Sequence, residues 1–244
     1  MKFLVCISNV PDTTSRITFT DNKAFNASGV QFIINPYDEI ALTRALELKE
    51  ALGGTVTVIN VGGATTEPNI RKALAIGADD AIRVNAEPTD AYFVATQIAE
   101  AAKKNSYDVI LTGRESIDYN GAQVAPMLAE LLGLPCVTVA TKLDIAGSEA
   151  TVEREIDGGK EVLSVKTPFV LSAQKGMAEP RIPNMRGIMS ARTKPLQVME
   201  PAGDARLTES VYYEQPPAKQ AVKLIDPNNV EELVNLLHNE AKII

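Results

Sequence analysis

The chain carries one histidine, His238, and two cysteines, Cys6 and Cys136. A Ser–His–Asp or Cys–His site would have to use that single imidazole, and no Gly-x-Ser-x-Gly elbow accompanies it. One histidine and no CxxC pair leave no histidine- or cysteine-based metal set. His238 reads more simply as a solvent-facing residue near the positively favoured end of a terminal helix. Two other groups could touch a ligand. The first is Gly113-Arg114-Glu115-Ser116-Ile117-Asp118-Tyr119-Asn120-Gly121-Ala122-Gln123, ending at Val124. Small residues there let backbone N–H groups approach an anion, and a helix beginning near Asn120 would point its positive end at it. Asp118 could accept from a ribose hydroxyl or cap that helix, and both readings stand. The second is Arg154 with Glu155, in which Arg154 could lie over an electron-rich ring and Glu155 orient it. Residue chemistry alone favours a solvated surface pair at that place.

These residues need elements to hold them. Lys2–Ile7 is an apolar strand. Asn35-Pro36-Tyr37-Asp38-Glu39 opens a helix, because proline suits a first turn and acidic residues complement the dipole there. Ala41, Ala45, Leu48 and Leu52 repeat at helical spacing until Gly53-Gly54 stops the run. Thr55–Val61 is β-branched and ends at Gly62-Gly63. Helices follow on Ile70, Ala73 and Leu74, on Val94, Ile98, Ala101 and Ala102, and on Val124, Met127, Leu128, Leu131 and Leu132. Strands at Ala81–Val84 and Asp108–Thr112 separate them. This β-α alternation requires parallel strands with right-handed crossovers and helices on both faces. Ligands in such sheets sit beyond the carboxyl ends of the strands. The candidate loops are therefore Ser8–Pro11, Asn35–Asp38, Val61–Thr65 and Gly113–Gln123. No Walker A motif and no Gly-x-Gly-x-x-Gly follows the first strand, so the usual dinucleotide fingerprint is missing.

After Pro135 the pattern changes to short runs at Cys136–Ala140, Thr151–Arg154, Glu161–Val165 and Phe169–Ser172. Asp157-Gly158-Gly159-Lys160 supplies the positive φ angles of a hairpin turn. An antiparallel excursion attached to the parallel sheet is expected. Residues 178–191 read as an irregular surface loop. Residues 195–227 carry five prolines and little periodicity, which predicts an extended arm after a nucleotide-binding α/β domain of residues 1–194. The arm ends in a helix from Asn229 with an apolar stripe of Val230, Leu233, Val234 and Leu237. That stripe either folds back on its own domain or meets a partner.

Composition limits the function classes. With 244 residues, 45% of them hydrophobic, one substantial core can form. The formal charge of −7 disfavours general nucleic-acid binding, which draws its affinity from neutralising phosphates. The first seven residues read as a strand rather than a signal peptide, and no apolar run reaches the ~20 residues of a membrane helix. A reducing, cytoplasmic setting without membrane insertion is expected.

Together these residues resemble a known family. Val152-Glu153-Arg154-Glu155-Ile156-Asp157-Gly158-Gly159-Lys160-Glu161-Val162-Leu163, followed by Thr167-Pro168-Phe169-Val170-Leu171-Ser172, is similar to the diagnostic segment of the electron-transfer flavoprotein (ETF) beta subunits. Met1–Val10, Asn35–Ala41, Gly113–Asp118 and Glu179-Pro180-Arg181 fit the same family, in family order, over nearly the whole chain. The resemblance implies a Rossmann-like fold and a heterodimer with a larger alpha subunit that holds a redox-active FAD. It implies a structural AMP in this chain, held by Cys6, Asn35, Pro36, Tyr37, Asp38, Val61 and Gly113–Val124. Arg154 and Glu155 then approach the partner's flavin. Glu179, Pro180, Arg181 and Met185 belong to a loop that docks on flavin dehydrogenases such as acyl-CoA dehydrogenases, with Met185 at the anchor position where relatives place leucine. Asn184, Arg186 and Gly187 depart from the family pattern. Arg181, Arg186 and Arg192 would provide local electrostatic steering. Electrons would pass on to an acceptor such as an ETF-quinone oxidoreductase, with no catalytic residue in this chain. Two alternatives stand beside this: an electron-bifurcating beta subunit with a second FAD in place of AMP, and a free-standing adenine-nucleotide sensor.

Overall fold

The computed structural model describes residues 1–219 and 221–244. The chain forms β1 (Lys2–Cys6), β2 (Asn9–Pro11), β3 (Phe19–Thr20), β4 (Ala24–Phe25), β5 (Phe32–Ile34), α1 (Pro36–Leu52), β6 (Thr55–Val61), α2 (Glu67–Ile76), β7 (Asp80–Val84), α3 (Ala91–Lys103) and β8 (Val109–Gly113). It continues with α4 (Val124–Leu132), β9 (Cys136–Ala146), β10 (Glu149–Ile156), β11 (Gly159–Lys166), β12 (Phe169–Ala173), α5 (Met185–Ala191), β13 (Leu196–Met199) and α6 (Val230–Asn235). Nine strands make one sheet in the order β11-β10-β9-β12-β8-β1-β6-β7-β13. The pairs from β9 through β12, β8, β1, β6 and β7 to β13 are parallel, and β9, β10 and β11 are antiparallel.

Strand periodicity assigns the two faces. Phe3, Val5, Val56 and Val58 pack with α1 and α2, while Leu4, Ile59, Ile82 and Ile110 pack with α3 and α4. The chain runs outward from β1 to β6 and β7, then crosses back to place β8 on the other side of β1. The switch point therefore lies between the carboxyl ends of β1 and β8, where a crevice opens.

The α/β reading and the antiparallel excursion hold, with β9, β10 and β11 longer than their expected runs. The hairpin turns at Asp157-Gly158, where Gly158 has φ 83°. Three local expectations are corrected. The irregular loop at 178–191 contains helix α5. Leu196–Met199, expected to be extended arm, adds a parallel edge strand beside β7, so the arm leaves the sheet after Met199. The helix expected near Asn120 starts at Val124, because Asn120 and Ala122 adopt φ 50° and 51° and interrupt the helical path. Among the described residues, no helix is long and apolar enough to cross a membrane.

Candidate functional site

The crevice at the switch point is closed from below by the first turn of α1. Asn35 and Asp38 are buried there. Asp38 Oδ2 accepts the Ser8 N–H at 2.7 Å and Oδ1 accepts the Gly113 N–H at 2.8 Å. One carboxylate thus ties the exit of β1 to the end of β8. Asn35 Nδ2 donates to the Glu115 carbonyl at 2.8 Å, and Asn35 Oδ1 accepts from Ile117 N–H at 3.3 Å. Four backbone groups in two loops are satisfied by two side chains one helical turn apart. Burial raises the Asp38 carboxyl from 3.8 to about 7, against the lowering effect of its hydrogen bonds. Burial, and then Asp38, push the neighbouring Cys6 thiol up, so it is a packed, unreactive side chain.

Gly113 is required by this geometry. A Cβ there would collide with Asp38 Oδ1 and lie 2.7 Å from Tyr37 Cβ. Pro36 sits in the first turn of α1. Tyr37 lies under Arg114, whose guanidinium carbon is 5.6 Å from the ring centroid. Arg114 also pairs with Glu115 at 3.2 Å. Ser116 accepts Asn120 N–H at 2.8 Å through its carbonyl, and the Asn120 side chain reaches Glu115 at 3.3 Å. Asp118, expected either to cap a helix or to meet a ribose, bonds its neighbour Tyr119 N–H at 2.9 Å and caps nothing. Tyr119, Gly121 and Gln123 are exposed, and Val124 opens α4 without a side-chain cap from Gln123. An uncapped helix start preceded by two positive-φ residues presents backbone N–H groups outward, a donor set that fits a phosphate.

Val61 ends β6 on the same rim. Its loop is held by two residues that the pattern reading passed over. Arg83, buried in β7, donates to the Gly62 carbonyl at 3.0 Å and pairs with Glu67 at 3.2 Å. Asn60 donates to the Ile7 carbonyl at 2.8 Å, joining β6 to β1. The available signal was an arginine and an asparagine inside mostly apolar strands, since buried polar groups need partners.

Arg154 and Glu155 stand apart from the crevice on β10. Arg154 Nε pairs with Glu161 at 2.6 Å across the hairpin, and Glu155 accepts from Gln174 at 3.2 Å. Glu155, Lys160, Gln174 and Arg114 line an open groove of about 590 Å³, which joins the hairpin to the β8 loop.

The 179–191 segment lies at the other end of the molecule. Arg181 makes a two-pronged pair with Glu50 at 2.6 and 2.9 Å, near the carboxyl end of α1. Glu50 holds the guanidinium charged, and the arginine in turn keeps Glu50 below the usual carboxylate range. Arg181 is therefore engaged within the chain, whereas Arg186 and Arg192 are exposed without an ion pair among the described residues. Asn184 caps α5 by accepting Gly187 N–H at 2.8 Å. Gly187 faces the Ala75 carbonyl of α2 so closely that a Cβ would collide with it. Arg71 then holds the Ala191 and Lys194 carbonyls, both at 2.8 Å. Asn184 and Gly187 thus build a helix and seat it. On its outer side Met185 is 73% exposed, Met189 69% and Ile188 40%, and Ile182, just before the helix, is 92% exposed. Glu179 and Pro180 are exposed beside them.

Fold and site together define a doubly wound α/β domain with braced loops at its switch point and an exposed apolar surface at the far end. Comparison with known proteins gives the family. The electron transfer flavoprotein domain matches residues 23–204. The chain is 39% identical over 259 residues to the electron transfer flavoprotein subunit beta of Bacillus subtilis (strain 168), covering all of both chains. It is 38% identical over 248 residues to the subunit of the same name from Syntrophomonas wolfei, covering all of this chain and 98% of that one. It is 32% identical over 207 residues to the acryloyl-CoA reductase electron transfer subunit gamma of Anaerotignum propionicum, covering 82% and 78%. The chain belongs to the electron transfer flavoprotein beta-subunit family. Such a subunit is an electron carrier component with an alpha subunit as its partner.

Proposed function

We propose that this chain positions and shields an FAD held mainly by the alpha subunit, receives electrons from flavin dehydrogenases such as acyl-CoA dehydrogenases, and passes them to an acceptor such as a quinone oxidoreductase. The observation that carries the reading is the outer face of α5. Three large apolar side chains stand in solvent on a helix that is capped, seated by glycine and clamped by Arg71. Rigid support under exposed methionine and isoleucine suits a docking anchor, because methionine adapts to the pocket it fills. Arg186 and Arg192 flank that face and would attract an acidic partner surface. Arg181, paired with Glu50, instead fixes where the segment lies against α1.

The carboxyl rim binds AMP in this reading. Asn35 and Asp38 do not touch the nucleotide; they hold the Ser8 and Gly113–Ile117 backbone in place. The N–H groups of Gly121–Val124 receive the phosphate. Arg154 and Glu155 on the hairpin, with Arg114 across the groove, face the partner's flavin. The FAD supplies the one- and two-electron chemistry, while this chain contributes orientation and exclusion of water. Exposed Val230, Leu233 and Val234 on α6 make the arm's end a contact for the alpha subunit. The test is electron transfer from an acyl-CoA dehydrogenase through the co-expressed heterodimer to a dye. Turnover that requires both subunits and saturates with dehydrogenase supports the reading. A heterodimer that no flavin dehydrogenase reduces refutes it.

A further inference from the structure

The arm does not leave the body directly after β13. It first crosses the carboxyl rim, and three rim loops hold it. Gln97 accepts Ala202 N–H at 2.7 Å. Asp90 caps α3 with Oδ1, taking Phe93 N–H at 2.7 Å. Its Oδ2 takes Leu207 N–H at 2.7 Å, Thr208 N–H at 2.8 Å and the Thr208 hydroxyl at 3.2 Å. Beyond this point the arm reaches the β3–β4 hairpin, which belongs to the connection after β1. Tyr213 stacks on Phe19 with centroids 4.8 Å apart and planes at 15°. Tyr213 N–H donates to the Asn22 carbonyl at 2.8 Å, Asn22 Nδ2 donates to the Tyr212 hydroxyl at 2.9 Å, and Gln215 donates to the Ile17 carbonyl at 2.8 Å. Finally, the Tyr213 hydroxyl lies 3.5 Å from that of Tyr119, in the loop between β8 and α4.

Chain length allows this crossing. From β7 to β8 the sheet passes β6 and β1, three steps of about 4.8 Å, or roughly 14 Å. Five residues from Thr208 to Tyr213 reach roughly 17 Å when extended. The segment is long enough to cross the rim, and its far anchorage touches the loop that presents the uncapped start of α4.

We propose that residues 207–215 form the outer wall of the nucleotide site, with Tyr213 positioning the Asp118–Gln123 loop through Tyr119, so that nucleotide retention and arm position are one coupled equilibrium. This rests on the rim binding AMP. A nucleotide that orders the Tyr119 loop then favours the strapped arm, and the strapped arm favours the nucleotide by the same factor. The consequence reaches α6, since the same arm carries that helix. A filled rim restricts where α6 can lie, and an empty one frees it.

The experiment uses the full chain, with AMP as the probe. Equilibrium dialysis gives the AMP affinity of the wild type, Tyr213→Ala, Phe19→Ala and the double variant. Trypsin cleavage after Arg206 and Lys219, with and without AMP, reports arm release. The expected result is an AMP affinity about tenfold weaker in each single variant, the two effects not adding in the double. AMP should slow cleavage of the wild-type arm by a similar factor and leave the Tyr213→Ala arm unprotected. Unchanged thermal unfolding of Tyr213→Ala separates loss of the strap from loss of the fold; an unfolded variant hands the decision to Tyr213→Phe, which keeps the stack on Phe19 but loses the hydroxyl facing Tyr119 and should bind AMP severalfold more weakly than wild type, equal binding overturning the strap. AMP binding equally to wild type and variants, with cleavage indifferent to AMP, overturns the strap and leaves the nucleotide site standing. AMP binding to none of them removes the nucleotide reading, and the strap with it.

Discussion

Helix α1 connects two regions built on opposite plans. At its amino end Asp38 and Asn35 are buried, and every polar atom they offer to the rim is used on backbone of the Ser8 and Gly113–Ile117 loops. Near its carboxyl end, about 18 Å away along the axis, Glu50 holds Arg181 in solvent, beside a helix whose best apolar side chains are left uncovered. The first region spends its polar groups on fixing shape before anything binds. The second fixes its backbone equally well through Asn184, Gly187 and Arg71, but leaves its apolar face uncovered. A permanent ligand suits the first plan, whereas a partner that must come and go suits the second.

The comparison breaks most visibly at Asp38. Asp38→Ala strands two inward N–H groups and should cost about 3–5 kcal/mol in denaturant unfolding. A loss below about 1 kcal/mol would show that the rim is held by something else. The same residue gives a pH signature. Because its folded carboxyl is raised from 3.8 to about 7, its contribution to stability is complete below 3.8 and disappears as pH rises through about 7. The stability difference between wild type and Asp38→Asn should therefore shift against the wild type across that window. A flat difference would mean the site ionises freely.

The docking side should respond in the reverse sense. Met185→Ala should leave stability within about 0.5 kcal/mol yet lower kcat/KM for a dehydrogenase by about tenfold, roughly 1.4 kcal/mol of docking energy. Equal turnover in the variant would move the anchor to Ile182 or Met189. Arg181→Ala should be the mildest change, about 0.5 kcal/mol, because its pair with Glu50 is largely solvated. Thermal unfolding would register that loss, and a much larger one would make the pair a clamp rather than a guide.

Much of the fold was legible. Periods of two and 3.6 marked the first four strands of the parallel series and the four large helices, and the Asp-Gly-Gly turn marked the hairpin. What escaped depends on non-local packing. Leu196–Met199 is only four residues long, between Pro195 and Pro201, and becomes a strand because β7 offers an open edge. Gly187 argues against a helix by propensity, and is present because α2 approaches too closely for any side chain. The loops that the fold brings to one rim were legible, but what each of their residues does there was not. Asn35, Asp38 and Gly113 stood out by type and position, yet only the geometry separates residues that brace the rim from those left to meet a ligand. Tyr213 and Phe19, 194 positions apart, gave no joint signal before the chain was folded.

The central claim is a carrier subunit whose rim holds AMP while the flavin belongs to the partner. Heat release of nucleotide from the natively purified heterodimer, read by mass spectrometry, tests it most directly. One AMP and one FAD per heterodimer is the predicted result. Two FAD and no AMP would make the rim a second flavin site, and the absence of any flavin would contradict the account.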